Sequence, residues 1–225
     1  MNNEPMIDLF YKKRILITGG AGFVGSHLAQ KLVMASNHVV CLDNYLSGCR
    51  SNHIEGVSYI KGDVCNICQI FYNQKFDYIF HFGEYSRVEQ SLNEPYIALS
   101  NIYKSFASLL EFWHKSEAKL IYSGSSTKFA DNGEGRHLSP YTAAKSLNTE
   151  LLIDYAKWYS LPFTIIYFYN VYGGRELREG KYSTVIGKFK NLVSNGATKL
   201  PITKPGIQRR NFTHVHDITN GILLA

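Results

Sequence analysis

Tyr141 and Lys145 stand four residues apart, just after Pro140, where a stretch with helical spacing begins. Residues i and i+4 share a helix face, so a phenol and an ammonium there can approach one ligand together. A tyrosine near its reference pKa of about 10 is a poor base at neutral pH. A nearby ammonium stabilises the phenolate, and so does the positive field of an oxidised nicotinamide; both bring the group toward working pH. Ser125, in the cluster Ser123-Gly-Ser-Ser-Thr127 at the end of an apolar run, can hydrogen-bond the same substrate hydroxyl. The three can remove a proton from a secondary alcohol as its hydride departs. Taken singly, Tyr141 would be an aromatic on a helix flank and Lys145 a solvated charge. Their spacing and the serine cluster upstream favour the catalytic reading.

A hydride acceptor is foreshadowed by the stretch Arg14 to Gly25, RILITGGAGFVG. Ile15 to Ile17 reads as a buried strand and the segment after Gly25 as a helix. Between them lie Gly19, Gly22 and Gly25, with Phe23 and Val24 before the last. Strand, glycine turn and helix form the layout that places a pyrophosphate on a helix N-terminus. Asp43 ends the next apolar run, His38 to Leu42, where a carboxylate would accept both ribose hydroxyls. Asn44 rather than Arg follows it, which favours NAD over NADP. Asp63 and Val64, after a third run at Val57 to Lys61, could hold the adenine edge; Asp63 would equally serve as an N-cap.

The chain has 225 residues, room for a sizeable core. A net charge of +6 fits an anionic ligand, but no basic block or RNA-binding signature accompanies it, so nucleic acid is not expected. The four cysteines are Cys41, Cys49, Cys65 and Cys68. The pair Cys65/Cys68 has no second pair to complete a zinc site, so free thiols and no metal are expected. No run approaches a membrane span and the N-terminus lacks a signal-peptide core, which points to the cytosol.

Further strands are expected at Tyr78 to Phe82, Lys119 to Tyr122 and Phe163 to Phe168, with helices at Glu94 to Lys115 and Pro140 to Ser160. Alternation of strands and helices gives an α/β, doubly wound parallel sheet of Rossmann type. The domain reading is a leader at 1–13, a dinucleotide-binding domain at 14–173 and an incomplete substrate-binding lobe at 174–225. In the last, a helix is expected at Thr184 to Ser194, a short strand at Lys199 to Ile202, an extended segment at Gln208 to Phe212 and a helix from Asp217.

Thr18-Gly-Gly-Ala-Gly-Phe-Val-Gly25, Ser123 to Thr127, Tyr141-Thr-Ala-Ala-Lys145, Tyr169-Asn-Val-Tyr-Gly173 and Gln208-Arg-Arg-Asn-Phe-Thr-His-Val-His-Asp217 occur in that order. Together they resemble the extended short-chain dehydrogenases/reductases of the NAD-dependent epimerase/dehydratase family, in kind the UDP-glucose 4-epimerase group. The resemblance covers essentially 14–225 and implies bound NAD and a nucleotide-sugar substrate, UDP-linked. It places Ser125 and Tyr141 on the sugar hydroxyl, and Tyr141 and Lys145 also on the cofactor, Lys145 at the nicotinamide ribose. Phe82, Gly83 and Asn101 fall on the cofactor side, Asn170 near the substrate diphosphate and Arg210 on the nucleotide, with Arg209 as its alternative. The mechanism implied is transient oxidation at sugar C4, turnover of the 4-keto sugar and return of hydride to its other face. The helices at Glu94 to Lys115 and Pro140 to Ser160 pair across a homodimer in this family.

The chain also departs from that pattern. Thr127 is followed by Lys128-Phe129, where a 4,6-dehydratase would carry Asp-Glu, which disfavours dehydration. The gap from Ser125 to Tyr141 is short. Gly124 interrupts the serine run, so that Ser126 could replace Ser125. Glu84, Tyr85 and Arg87 stand where small residues are expected beside the cofactor, and they leave the sugar preference open. The chain ends before the family's usual C-terminal part.

Overall fold

The computed structural model describes residues 10–202 and 204–225, those at 130–134 by backbone alone. Most of the expected leader, residues 1–9, lies outside that range. Its end does not: Phe10 is buried, with its ring 4.8 Å from that of Tyr78.

Six parallel strands form one sheet in the order β3-β2-β1-β4-β5-β6. They are β1 (Arg14–Thr18), β2 (His38–Asp43), β3 (Ser58–Lys61), β4 (Tyr78–His81), β5 (Lys119–Ser125) and β6 (Phe163–Phe168). Ile17 of β1 registers with Cys41 on one side and Phe80 on the other. The order reverses between β1 and β4, and a ligand crevice opens beyond their carboxyl ends.

Alternate residues of the strands face opposite layers. Leu16, Leu42, Ile79 and Leu120 pack with Phe106, Leu109 and Trp113 of α4 (Pro95–Ser116) and Leu152 of α5 (Pro140–Tyr159). Ile15, Ile17, Val39 and Phe80 pack with Leu28 and Leu32 of α1 (Phe23–Met34) and Ile222 of α7 (Val215–Leu224). Both faces are covered, which is why these strands read as unbroken apolar runs. Each fully buried large side chain contributes about 1.5–3 kcal/mol relative to exposure. The indole of Trp113 also satisfies its N–H by donating to the Ala118 carbonyl at 2.8 Å.

The start of α5 fixes the candidate base. Ser139 is its N-cap, with its hydroxyl accepting from Thr142 N at 3.2 Å and its own N–H donating to Thr142 Oγ1 at 2.9 Å. This reciprocal box, with Pro140 in the first turn, sets Tyr141 at the helix mouth and Lys145 one turn deeper.

Two short helices, α2 (Ile67–Ile70) and α3 (Val88–Asn93), were too brief to declare themselves by periodicity. Beyond β6, β7 (Asn170–Tyr172) and β8 (Phe212–His214) form a separate parallel pair, and α6 (Val185–Ser194) is capped by Thr184. The strand expected at Lys199 to Ile202 does not form. Pro201 lacks an N–H for a ladder. Only Phe212 of the expected extended segment pairs, and α7 begins at Val215, two residues earlier than expected.

Candidate active site

At the end of β1 the chain turns through Gly19 at φ +74°, a conformation that L side chains rarely adopt. A Cβ on Gly25 would lie 2.2 Å from the Gly19 carbonyl oxygen, so the helix sits against the turn as closely as a backbone can. Gly22 is the N-cap of α1 and supplies no side-chain cap, leaving first-turn N–H groups directed at the cleft. A cavity of about 570 Å³ extends from this turn, lined by Gly22, Phe23, Val24, Asp43, Phe82 and Gly83 at one end and by Ser125, Tyr141 and Lys145 at the other. A bare helix N-terminus behind a glycine turn, with a carboxylate at the tip of the next strand, fits a dinucleotide.

Asp43 is buried, and its two oxygens accept from Ala21 N at 2.9 Å and Tyr45 N at 2.8 Å. Burial raises its pKa; those N–H groups and the charge of His53 oppose the rise. Each carboxylate oxygen keeps a further lone pair for a ribose hydroxyl. Asn44 also lines the cavity, but its amide donates to Asp63 Oδ2 at 2.8 Å. Asp63 accepts from Cys65 N at 3.0 Å and so caps the helical turn at Val64–Asn66. Asp63 does not line the cavity, whereas Val64 does. The capping role is the geometry found for Asp63, and its Oδ2 keeps a further lone pair.

At the other end, Ser125, Ser126 and Tyr141 line the cavity together; the Ser125 hydroxyl lies 2.8 Å from Thr127 Oγ1 and opposes the effect of burial on the Tyr141 phenol. The Lys145 ammonium donates to Ser123 O at 2.5 Å, to Tyr122 Oη at 2.8 Å and to Glu84 Oε2. The side chains of Lys145 and Glu84 are 4% and 3% exposed, so this ion pair is removed from water. Burial alone would raise the Glu84 carboxyl, but the charge of Lys145 and contacts from His81 and Lys145 hold it at about 2. Burial pulls Lys145 below the ordinary lysine value, with Glu84 opposing. The Tyr141 phenol stands above its ordinary value: burial raises it, Ser125 and Arg87 oppose, and Glu84 adds to the rise. The expected lowering by Lys145 is not what these residues produce without a ligand: burial dominates, and Glu84 adds to it.

Asn101 lines the cavity, and its Oδ1 accepts from Tyr85 N at 2.9 Å. Asn170 also lines it and donates to Asn211 O at 3.1 Å. Arg210 is exposed, donates to Arg209 O at 2.9 Å and does not line the cavity; its extended segment does not bring it to the site. Arg87, noted from sequence only as a departure, is a cation of the cleft wall. Its guanidinium grips Tyr182 O and Ser86 O and so ties the loop after β4 to the segment before α6. His81 belongs to the segment His81-Phe82-Gly83-Glu84 at the ligand-bearing edge of the sheet, where the sequence assigns it no role of its own; Tyr122, the last residue of an expected strand, carries no other signal.

The NAD dependent epimerase/dehydratase family model matches residues 15–225. The chain belongs to this family. NAD-dependent chemistry on nucleotide sugars is the family's province, and its members divide among several reactions. The chain is 29% identical to a UDP-N-acetyl-alpha-D-glucosaminuronate decarboxylase of Bacillus cytotoxicus, over 95% of this chain and 71% of that protein. It is 28% identical to the human dTDP-D-glucose 4,6-dehydratase, over 95% of this chain and 65% of that protein. Among solved structures, the UDP-glucose 4-epimerase of Thermotoga maritima with UDP-glucose superposes with a TM-score of 0.86 at 28% identity, covering 93% of this chain and 72% of that one. The chain thus spans about two thirds to three quarters of the length of these family members.

Among the described residues no His/Cys/Asp/Glu group could hold a metal, and no helix is long and apolar enough to cross a membrane. All four cysteines are free thiols.

Proposed function

We propose that this chain carries the catalytic half of a nucleotide-sugar 4-epimerase working in the cytoplasm on a UDP-linked sugar. The observation that carries the reading is the Ser125–Tyr141 pair at the sugar end of a cleft whose other end is the glycine turn. The turn and the α1 N-terminus would hold the NAD pyrophosphate, and Asp43 the adenosine ribose. NAD, when bound, takes up and returns a hydride. Ser125 orients the sugar 4-hydroxyl, and Tyr141 accepts its proton and later gives it back. Asn101 and Asn170 would flank cofactor and diphosphate; Arg210 would reach the nucleotide only from a segment placed differently.

Epimerisation is favoured over 4,6-dehydration by the acids present. Removing water across C5 and C6 calls for an acid and a base beside the serine. Among the described side chains, the cleft's carboxylates are Asp43 at the adenosine end and Glu84, which is bound to Lys145. Exposed Tyr96, Ile97 and Tyr103 on α4 and Leu147, Leu151 and Trp158 on α5 support a homodimer through these helices.

Incubation with UDP-, GDP- and dTDP-sugars, followed by NMR of the sugar ring protons, tests the activity. Inversion at C4 of a UDP-sugar is expected; loss of the C6 hydroxyl or of CO₂ would assign the dehydratase or decarboxylase reaction instead. Asp43→Ala should weaken NAD binding by at least about tenfold, as a hydrogen-bonded ligand hydroxyl loses its charged partner. Isothermal titration with NAD and NADP measures it, and unchanged NAD affinity would remove Asp43 from the site.

A further inference from the structure

The proposed function leaves one buried charge without a task. Glu84 sits in the loop after β4, and its carboxylate is met from three elements. Lys145 reaches it from α5, and the Tyr122 hydroxyl from β5 lies 3.2 Å from Oε2. From β4, His81 Nε2 lies 3.3 Å from Oε1. Thr18 Oγ1 accepts from Gly83 N at 3.1 Å and stands 2.8 Å from His81 Nδ1. His81 Nε2 makes no aligned hydrogen bond, so the ring meets Glu84 by proximity alone. Lys145 in turn lies 4.2 Å from the centre of the Tyr122 ring. No side chain in this group is left to wander.

The charges around Tyr141 can then be counted. Lys145 and Glu84 form a neutral pair. Tyr122 is uncharged, its ionisation driven up by burial and by Glu84. Among the described residues, Arg87 is the cation that favours the phenolate, and Glu84 the anion that opposes it. Lys145 stands one helical turn from Tyr141 with its charge taken by Glu84.

We propose, resting on Tyr141 as the base, that Glu84 is a positioning residue: it clamps Lys145 against Ser123 and Tyr122 and cancels the lysine's charge beside the phenol, so that phenolate forms only when positive charge arrives with a ligand. Such an arrangement keeps the base protonated, and unreactive, in an empty cleft. The carboxylate's charge then adds to burial in holding the phenol above its ordinary range.

The test uses ligand-free protein labelled with ζ-¹³C tyrosine, with Tyr141 and Tyr122 assigned through Tyr141→Phe and Tyr122→Phe. Glu84→Gln keeps the shape and removes the charge. Its Tyr141 signal should ionise about one pH unit or more below that of the unsubstituted protein, the size of effect expected of a neighbouring charge. Glu84→Asp, which keeps the charge, should remain near the parent. A Glu84→Gln signal that tracks the parent at every pH overturns the proposal. Lys145→Gln gives a second reading that does not require Glu84→Gln to fold: the ¹³C carboxyl signal of Glu84 should move up from about 2 by more than one pH unit. No movement there overturns the clamp. Neither measurement uses turnover. A shifted phenol in a protein inactive on every sugar would fail the proposed function alone, and an unshifted phenol in an active epimerase would fail the role of Glu84 alone.

Discussion

Tyr141→Phe should reduce turnover on any accepted nucleotide sugar by about 10²–10⁴-fold, the range that a positioned acid–base group supplies. The substitution removes one oxygen from a half-buried ring. Its partner Ser125 is not orphaned, because Thr127 Oγ1 lies 2.8 Å from it, so stability should change by less than about 1 kcal/mol. NAD affinity should stay near the parent value, since the pyrophosphate and ribose contacts lie at the other end of the cleft. The combination of lost turnover, an unchanged melting midpoint and retained cofactor binding separates a lost base from a damaged fold. Tyr122 is the other buried phenol near Lys145, yet it does not line the cavity, and burial with Glu84 beside it drives its ionisation well above the usual range. It is the natural control: Tyr122→Phe should disturb the Lys145 geometry without removing the proton acceptor. If Tyr141→Phe keeps turnover within about fivefold of the parent, the proton goes elsewhere and the mechanism falls.

The parts of this site that sequence made legible are those fixed by local rules. Gly19, Gly22 and Gly25 mark a turn that admits no side chain at its first and last glycine, and Asp43 is the last residue of an apolar strand. Tyr141 and Lys145 are one helical turn apart behind a capping box. Each of these is written within a dozen residues. The sheet order follows as well, because strands buried on both faces and joined by helices have few ways to pack. The pairing of Glu84 with Lys145 spans 61 residues of sequence and exists only because β4, β5 and α5 end at the same place. From sequence, Glu84 was merely a residue too large and too charged for its position. Asp63 shows the converse. Its two readings, cap and adenine contact, are compatible with one another in the sequence, and the hydrogen bond from Cys65 N supplies the first of them. Arg210 and the strand expected at Lys199 to Ile202 lie where the chain has no layer to pack against. There, motif and propensity set neither position nor pairing.

Glu84→Ala should be the most destabilising single change in the cleft. It leaves the Lys145 ammonium buried with a carbonyl and a hydroxyl but no counter-charge, and breaking such a pair costs about 3–5 kcal/mol. In a chain of 225 residues that corresponds to a fall in melting temperature on the order of 10 °C at pH 7. The dependence on pH follows from the position of the carboxyl. Its folded value, about 2, lies below the unfolded value near 4.3. A group depressed in this way contributes its stability in full above the unfolded value and loses it as pH falls through the folded one. The gap between the parent and Glu84→Ala should therefore be wide at neutral pH and close progressively from about pH 4.5 toward 2. Differential scanning calorimetry across that range reads it directly. Replacing both partners with leucine removes the stranded charge together with its counter-ion, so the double variant should recover most of the lost stability while losing turnover. A Glu84→Ala protein that melts within about 2 °C of the parent at pH 7 would mean that the lysine is not held by this carboxylate, and the floor of the cleft would need another account.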